Sequence, residues 1–146
     1  MFRVNRKSSL FMLLVLITTL VLTGCSGSAQ ASSNKPVDVQ VTLTEFTITS
    51  SVTTFKVGVP YHFTVNNAGT AAHELEIMPP ESGTLTADQI SKLALASLSQ
   101  SDLPAGATKT LDYTFTKAYP QGTIEFACHL AGHYEAGMHL PIVVNP

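Results

Sequence analysis

Between Phe126 and Met138 the chain reads Phe-Ala-Cys-His-Leu-Ala-Gly-His-Tyr-Glu-Ala-Gly-Met, so a thiol (Cys128), an imidazole (His133) and a thioether (Met138) follow at five-residue steps. Glycines at 132 and 137 make this a loop rather than a strand or helix. A short loop that gathers three metal-ligating atoms constrains the chain more than any other stretch. Thiolate and thioether sulfur favour copper in its reduced state, and imidazole suits both Cu(I) and Cu(II). Two His, one Cys and a weak axial Met describe a mononuclear blue-copper centre. The loop supplies three of those groups, so the second His has to come from elsewhere.

The opening residues are of another kind. Arg3, Arg6 and Lys7 precede an uncharged apolar run from Leu10 to Leu22, too short to span a bilayer and typical of a secretory signal. Leu22-Thr23-Gly24-Cys25 resembles the lipobox of bacterial lipoproteins. That resemblance implies removal of residues 1–24 and attachment of diacylglycerol to the Cys25 sulfur. An acyl anchor would hold the exported protein at the outer face of a bacterial membrane. Residues 25–36 are small and polar, a tether whose flexible part spans roughly 18 Å. Residues 37–146 are left as one domain.

Beyond Cys25 five lysines face ten acidic residues, a net charge of −5. No basic stripe exists for nucleic acid, and that class of partner is excluded. With Cys25 lipidated, Cys128 is the remaining thiol of an exported chain. Such a thiol is either buried and inert or held by a metal.

From Val37 onward the hydrophobic period is two. Val37, Val39, Val41 and Leu43 share one face; Phe46 and Ile48 take over after a parity change near Thr44-Glu45 that suggests a bulge or a strand switching partners. About seven short strands, broken by turn sequences such as Asn66-Asn67-Ala68-Gly69, indicate an all-β, antiparallel Greek-key β-sandwich. One segment departs from the pattern. Thr86 with Gln89 forms a capping box, and Ile90, Leu93, Ala94 and Leu98 recur at helical spacing, predicting a short inserted helix from about Ala87 to Ser99 over an end or edge of the sandwich.

Alternate side chains of a strand face opposite sides, which sorts the histidines. Cys128 shares parity with the core residues Ile124 and Phe126, so His129 points to solvent or along the rim. His73 shares a face with Leu75 and Ile77, while Glu74 and Glu76 face outward. His62 and His139 fall on outward positions. His73 and His133 are the two inward imidazoles. Each residue alone is weak, but three ligand types at matched steps and a fourth chosen by parity are unlikely together by chance.

From about Val37 to Val144 the chain resembles the cupredoxins, the small blue-copper proteins of the plastocyanin, azurin and rusticyanin kind. The resemblance is carried by Asn66 to Leu75 and by Cys128 to Met138. The four residues in each gap of the loop are more like rusticyanin or the auracyanins than plastocyanin. It implies one copper ion, cycling between Cu(I) and Cu(II), held by His73, Cys128 and His133 with Met138 as a distant axial ligand. Two positions depart from the family. Glu74 stands where relatives often carry a small polar residue that ties the ligand loops together. His139-Leu140-Pro141 follows Met138 where relatives often place a Gly.

The implied function is one-electron transfer between redox protein donors and acceptors that dock transiently on a monomer, its membrane contact made through the lipid anchor. A copper buffer or delivery protein using the same ligands is the alternative, disfavoured because only Met78 and Met138 remain beyond the signal. An enzyme is not expected. A multicopper oxidase needs further His pairs and a His-Cys-His segment, and here Ala127 precedes Cys128.

Overall fold

The period-two alternation becomes ten strands in the computed structural model, which describes residues 35–146. The expected signal, Cys25 and nearly all of the tether lie outside the described residues. The strands are β1 (Val37–Thr44), β2 (Thr47–Ser50), β3 (Thr54–Lys56), β4 (Pro60–Asn67), β5 (His73–Met78), β6 (Ala96–Leu103), β7 (Thr108–Thr114), β8 (Glu125–Ala127), β9 (His139–Pro141) and β10 (Val143–Asn145), with one helix, α1 (Ala87–Leu93), between β5 and β6. One sheet has the order β2-β1-β4-β7 and the other β6-β5-β8-β9, while β3 and β10 form a ribbon. The β-sandwich with a short helix is therefore the fold. Two pairings, β1 with β4 and β3 with β10, are parallel. Alternation reports which face is buried and carries nothing about strand direction.

The core lies between the sheets. Val39, Val41 and Leu43 of β1, Phe63 and Val65 of β4, Leu75 and Ile77 of β5 and Phe126 of β8 are buried there. Phe55 of β3 sits among the rings of Tyr61, Phe115, Phe63 and Phe126, at centroid distances of 4.9, 5.3, 5.8 and 6.0 Å. Cys128 and Met138 belong to this same apolar cluster. Among the described residues, no helix is long and apolar enough to cross a membrane.

Three expectations change. The parity break at Thr44-Glu45 is neither a bulge nor a strand switch but a tight hairpin: Thr44 lies opposite Thr47, with Glu45 and Phe46 making the turn. Phe46 therefore leaves the face of Ile48 and stands exposed.

The helix begins as expected. The Thr86 hydroxyl accepts from the Gln89 N–H, and the Gln89 side-chain oxygen accepts from the Thr86 N–H. It ends at Leu93 rather than Ser99. Ala94 is extended, and the Leu95 N–H donates to the Ile77 carbonyl at 2.7 Å. From Ala96 the chain pairs antiparallel with β5. The apolar spacing up to Leu98 suited a helix, but the backbone groups along the edge of β5 needed partners, and a strand satisfies them.

The third change is burial. All six residues of β5 are buried, on both faces. Thr84 and Leu85, with Ala87, Ile90 and Ser91 of α1, line a cleft together with Glu74, Glu76 and His129. The expectation that Glu74, Glu76 and His129 point to solvent is thus overturned. Parity assigns a side chain to a face but does not say whether another segment covers that face.

Candidate metal centre

The turn before β5 is held by Asn67, a buried side chain at the end of β4. Its Nδ2 donates to the carbonyls of Ala71 (2.8 Å) and Leu103 (2.9 Å), and its Oδ1 accepts from the Gly69 N–H (2.9 Å). This delivers His73 as the first residue of β5, fully buried. Gly69 passes close by. A Cβ there would lie 2.9 Å from Glu45 Oε1, 3.0 Å from His73 Nε2 and 3.2 Å from Asn67 Oδ1. Glu45 has little room to yield, because its carboxylate accepts from both the N–H and the hydroxyl of Thr70. Gly69→Ala is accordingly expected to displace the His73 ring and weaken metal uptake by ~10–100-fold, the cost of disturbing a ligand's supporting contacts. A competition titration checks this; unchanged affinity would show that the turn gives way instead.

The second arm is the loop after β8. The Cys128 N–H donates to the Met138 carbonyl (3.1 Å), the Met138 N–H to the His133 carbonyl (3.0 Å) and the His133 N–H to the Leu130 carbonyl (2.9 Å). Gly132 (φ 78°) and Gly137 (φ 98°) take the left-handed conformations that let so short a loop fold back on itself. Backbone hydrogen bonds thus lock together the three residues that the spacing singled out.

The side chains converge. His133 Nδ1 lies 3.3 Å from His73 Nδ1 and 3.4 Å from Cys128 Sγ. The ligand atoms of His73, Cys128 and His133 all fall within 4.8 Å of one another, the one such triad among the described residues. Met138 is fully buried in the adjoining core. His73 and Cys128 are buried and His133 half-buried, so the site meets solvent through one imidazole.

Its electrostatics are those of a neutral pocket. Burial pushes the Cys128 thiol up to about 11, only partly offset by the backbone amides of Glu74 and Leu130. His73 is held below the usual imidazole range, by burial first and then by His133, with Glu45 pulling the other way. Burial thus disfavours charge on both groups, and His73 Nδ1 and His133 Nδ1 face one another at close range. Nitrogen and thiolate donors bind a first-row ion at roughly 2.0–2.3 Å, and atoms 3.3–3.4 Å apart are spaced as such bonds require. The donor set fits copper.

Glu74 ties together the two segments that carry the triad. Its Oε1 accepts the His129 N–H at 3.1 Å, linking β5 to the residue after Cys128. Behind it lies a buried polar layer that the sequence reading missed. His129 Nε2 donates to the Glu81 carbonyl (2.9 Å), so its Nδ1 faces Glu76 Oε2 at 3.5 Å. Burial raises Glu76 to about 7, with His129 acting against it. His129 is itself raised: burial opposes this, but Glu76 and the Glu81 carbonyl outweigh it. Alongside, Tyr134 stacks against both His129 (4.8 Å) and His139 (4.6 Å), and Glu125 accepts from the Tyr134 hydroxyl at 2.7 Å. His139, half-buried, lies 3.2 Å from Glu125. Leu85 and Ile90, apolar residues outside any strand, were the available hint that something had to cover this face.

No family model and no curated protein matches the chain. Solved structures do. The chain is similar to auracyanin from the photosynthetic bacterium Roseiflexus castenholzii, in its dithionite-reduced form, at 20% identity and a TM-score of 0.56, covering 77% of this chain and 98% of that one. Auracyanin B matches at 17% identity and a TM-score of 0.54, covering 77% and 91%. Reduced rusticyanin matches at 15% and 0.51, covering 75% and 81%. The fold is the cupredoxin fold.

Proposed function

We propose that this protein is a mononuclear blue-copper electron carrier. His73, Cys128 and His133 would hold the ion, with the Met138 thioether as a fourth, weaker donor. The observation that carries this reading is the convergence of one sulfur and two imidazole nitrogens within 4.8 Å at the end of a sandwich core. Copper bound there supplies a one-electron couple between Cu(I) and Cu(II). The chain's part is to keep the donors still: mixed soft and borderline ligands, locked by the loop's hydrogen bonds and by core packing, suit both oxidation states with little movement. Side chains committed to holding one ion, rather than to binding a substrate, favour a carrier over an enzyme.

Electrons would enter and leave by His133. Around it the loop presents Leu130, Ala131 and Gly132, a small and mainly apolar surface suited to the brief, small-area contacts of redox partners. In this proposal the protein is exported, acts as a monomer and is tethered by lipidated Cys25 to the outer face of a bacterial membrane, close to membrane-bound donors and acceptors.

The deciding experiment is titration of purified protein with Cu(II), followed by visible absorption and electron paramagnetic resonance. An intense thiolate-to-copper band that bleaches reversibly with reductant is expected. Colourless, labile binding would overturn electron transfer in favour of copper buffering or delivery. Expressed in a bacterium with its first 24 residues, the chain is expected to incorporate labelled fatty acid, and Cys25→Ser should abolish the labelling; a parent protein that stays unlabelled would refute the anchor.

A further inference from the structure

The turn between β1 and β2 carries a residue that neither its backbone nor its burial explains. Phe46 has φ 59°, the one non-glycine residue with positive φ among the described residues. Glycine or asparagine is the usual occupant of such a position, and a bulky side chain is disfavoured there. Nor is the ring placed to bury itself, since Phe46 remains 47% exposed. A strained backbone that persists at the rim of a site points to a role in that site.

What the ring does touch is His133. The two meet edge-to-face, with centroids 5.4 Å apart and planes at 82°. The other ring against His133 is that of His73, at 5.1 Å. The turn is itself anchored to the first ligand's loop, because Glu45 accepts from the N–H and the hydroxyl of Thr70. Two adjacent residues thus reach the surroundings of both imidazoles: Glu45 ties down the approach to His73, and Phe46 abuts His133. Half-buried and on a loop, His133 is the member of the triad with least packing to fix its ring.

We propose that Phe46 is a positioning residue for His133, a strut that fixes the orientation of the imidazole and closes the open side of the ligand set against small donor molecules. The contact between the rings stands on geometry alone; its consequence for copper rests on the function proposed above. An aromatic ring is better suited to this than an aliphatic chain, because it is rigid and planar and packs edge-to-face against a neighbouring ring at a defined angle.

Phe46→Gly removes the ring and relieves the backbone together, and Phe46→Tyr keeps the edge. In metal-free protein, the side-chain proton resonances of His133 are expected to move in Phe46→Gly and to stay in place in Phe46→Tyr, while the melting temperature of Phe46→Gly equals or exceeds that of the parent. In copper-loaded protein, added imidazole should perturb the visible spectrum of Phe46→Gly at a concentration at least tenfold lower than the parent requires, with Phe46→Tyr close to the parent. Unmoved His133 resonances would overturn the proposal. So would a lower melting temperature combined with unaltered tolerance to imidazole, which would make Phe46 a residue of the fold alone. A parent protein that takes up no copper would sink the electron-transfer reading, while the metal-free resonances would still decide whether Phe46 holds His133.

Discussion

Replacing Cys128 with alanine should abolish the visible absorption of the copper-loaded protein and lower copper affinity by more than the ~10–100-fold that losing a supporting contact costs. The thiolate is the ligand that gives a blue-copper site its colour and its preference for copper, and Cys128 is the one thiol of the triad. The fold should survive. Cys128 is a small buried side chain, and alanine leaves the backbone hydrogen bond from residue 128 to Met138 intact. Serine is the harsher change, since it buries a hydroxyl in an apolar cluster at a cost of roughly 1–3 kcal/mol. The parent should also show a pH signature. Its thiol, pushed up to about 11, has to lose a proton to bind the ion. Uptake therefore releases that proton, and apparent affinity should rise by up to about tenfold per pH unit below that value. In Cys128→Ala this component disappears. Calorimetry in two buffers of different ionisation enthalpy reads it directly, and an alanine variant that still released the proton would clear the thiol of ligand duty.

How far the sequence reached depended on which physical rule each residue obeyed. Strand parity found Cys128 beside Phe126 and His73 beside Leu75, because a side chain's face follows from the pleat alone. The loop spacing brought His133 to them, since glycines at 132 and 137 leave such a loop few ways to fold, and set Met138 in the adjoining core. Local chemistry also placed the start of α1, where Thr86 and Gln89 cap each other. What lay beyond reach was whatever depended on a distant segment. Helical spacing continued through Leu98, yet the edge of β5 drew Ala96–Leu103 into a strand. Glu74, Glu76 and His129 fell on the correct face, but the segment folded over that face turned an expected solvated surface into a buried layer. Phe46 failed for a different reason. Alternation assumes an unbroken strand, and a two-residue hairpin turn after Thr44 set the phenylalanine against His133 instead of in the core.

Phe55→Ala is expected to be the most damaging single change to the metal-free fold. Phe55 is fully buried, and its ring touches four others drawn from β4, β8 and the segment after β7. Its own strand cannot compensate, because β3 is three residues long and pairs with β10 alone. Emptying such a site costs about 3–5 kcal/mol, against a total stability of about 5–15 kcal/mol for a typical domain. Metal-free Phe55→Ala should thus sit near its unfolding transition, with a midpoint in urea shifted strongly downward. Copper should reverse much of this. A ligand present at about a thousand times its dissociation constant adds about 4 kcal/mol to the folded state, close to what the cavity removes. Combining Phe55→Ala with Cys128→Ala separates the two effects: the double variant should be as fragile as the metal-free single one and gain little from copper. Rescue of the double variant by copper would mean that the ion stabilises the chain from somewhere other than the His73–Cys128–His133 triad.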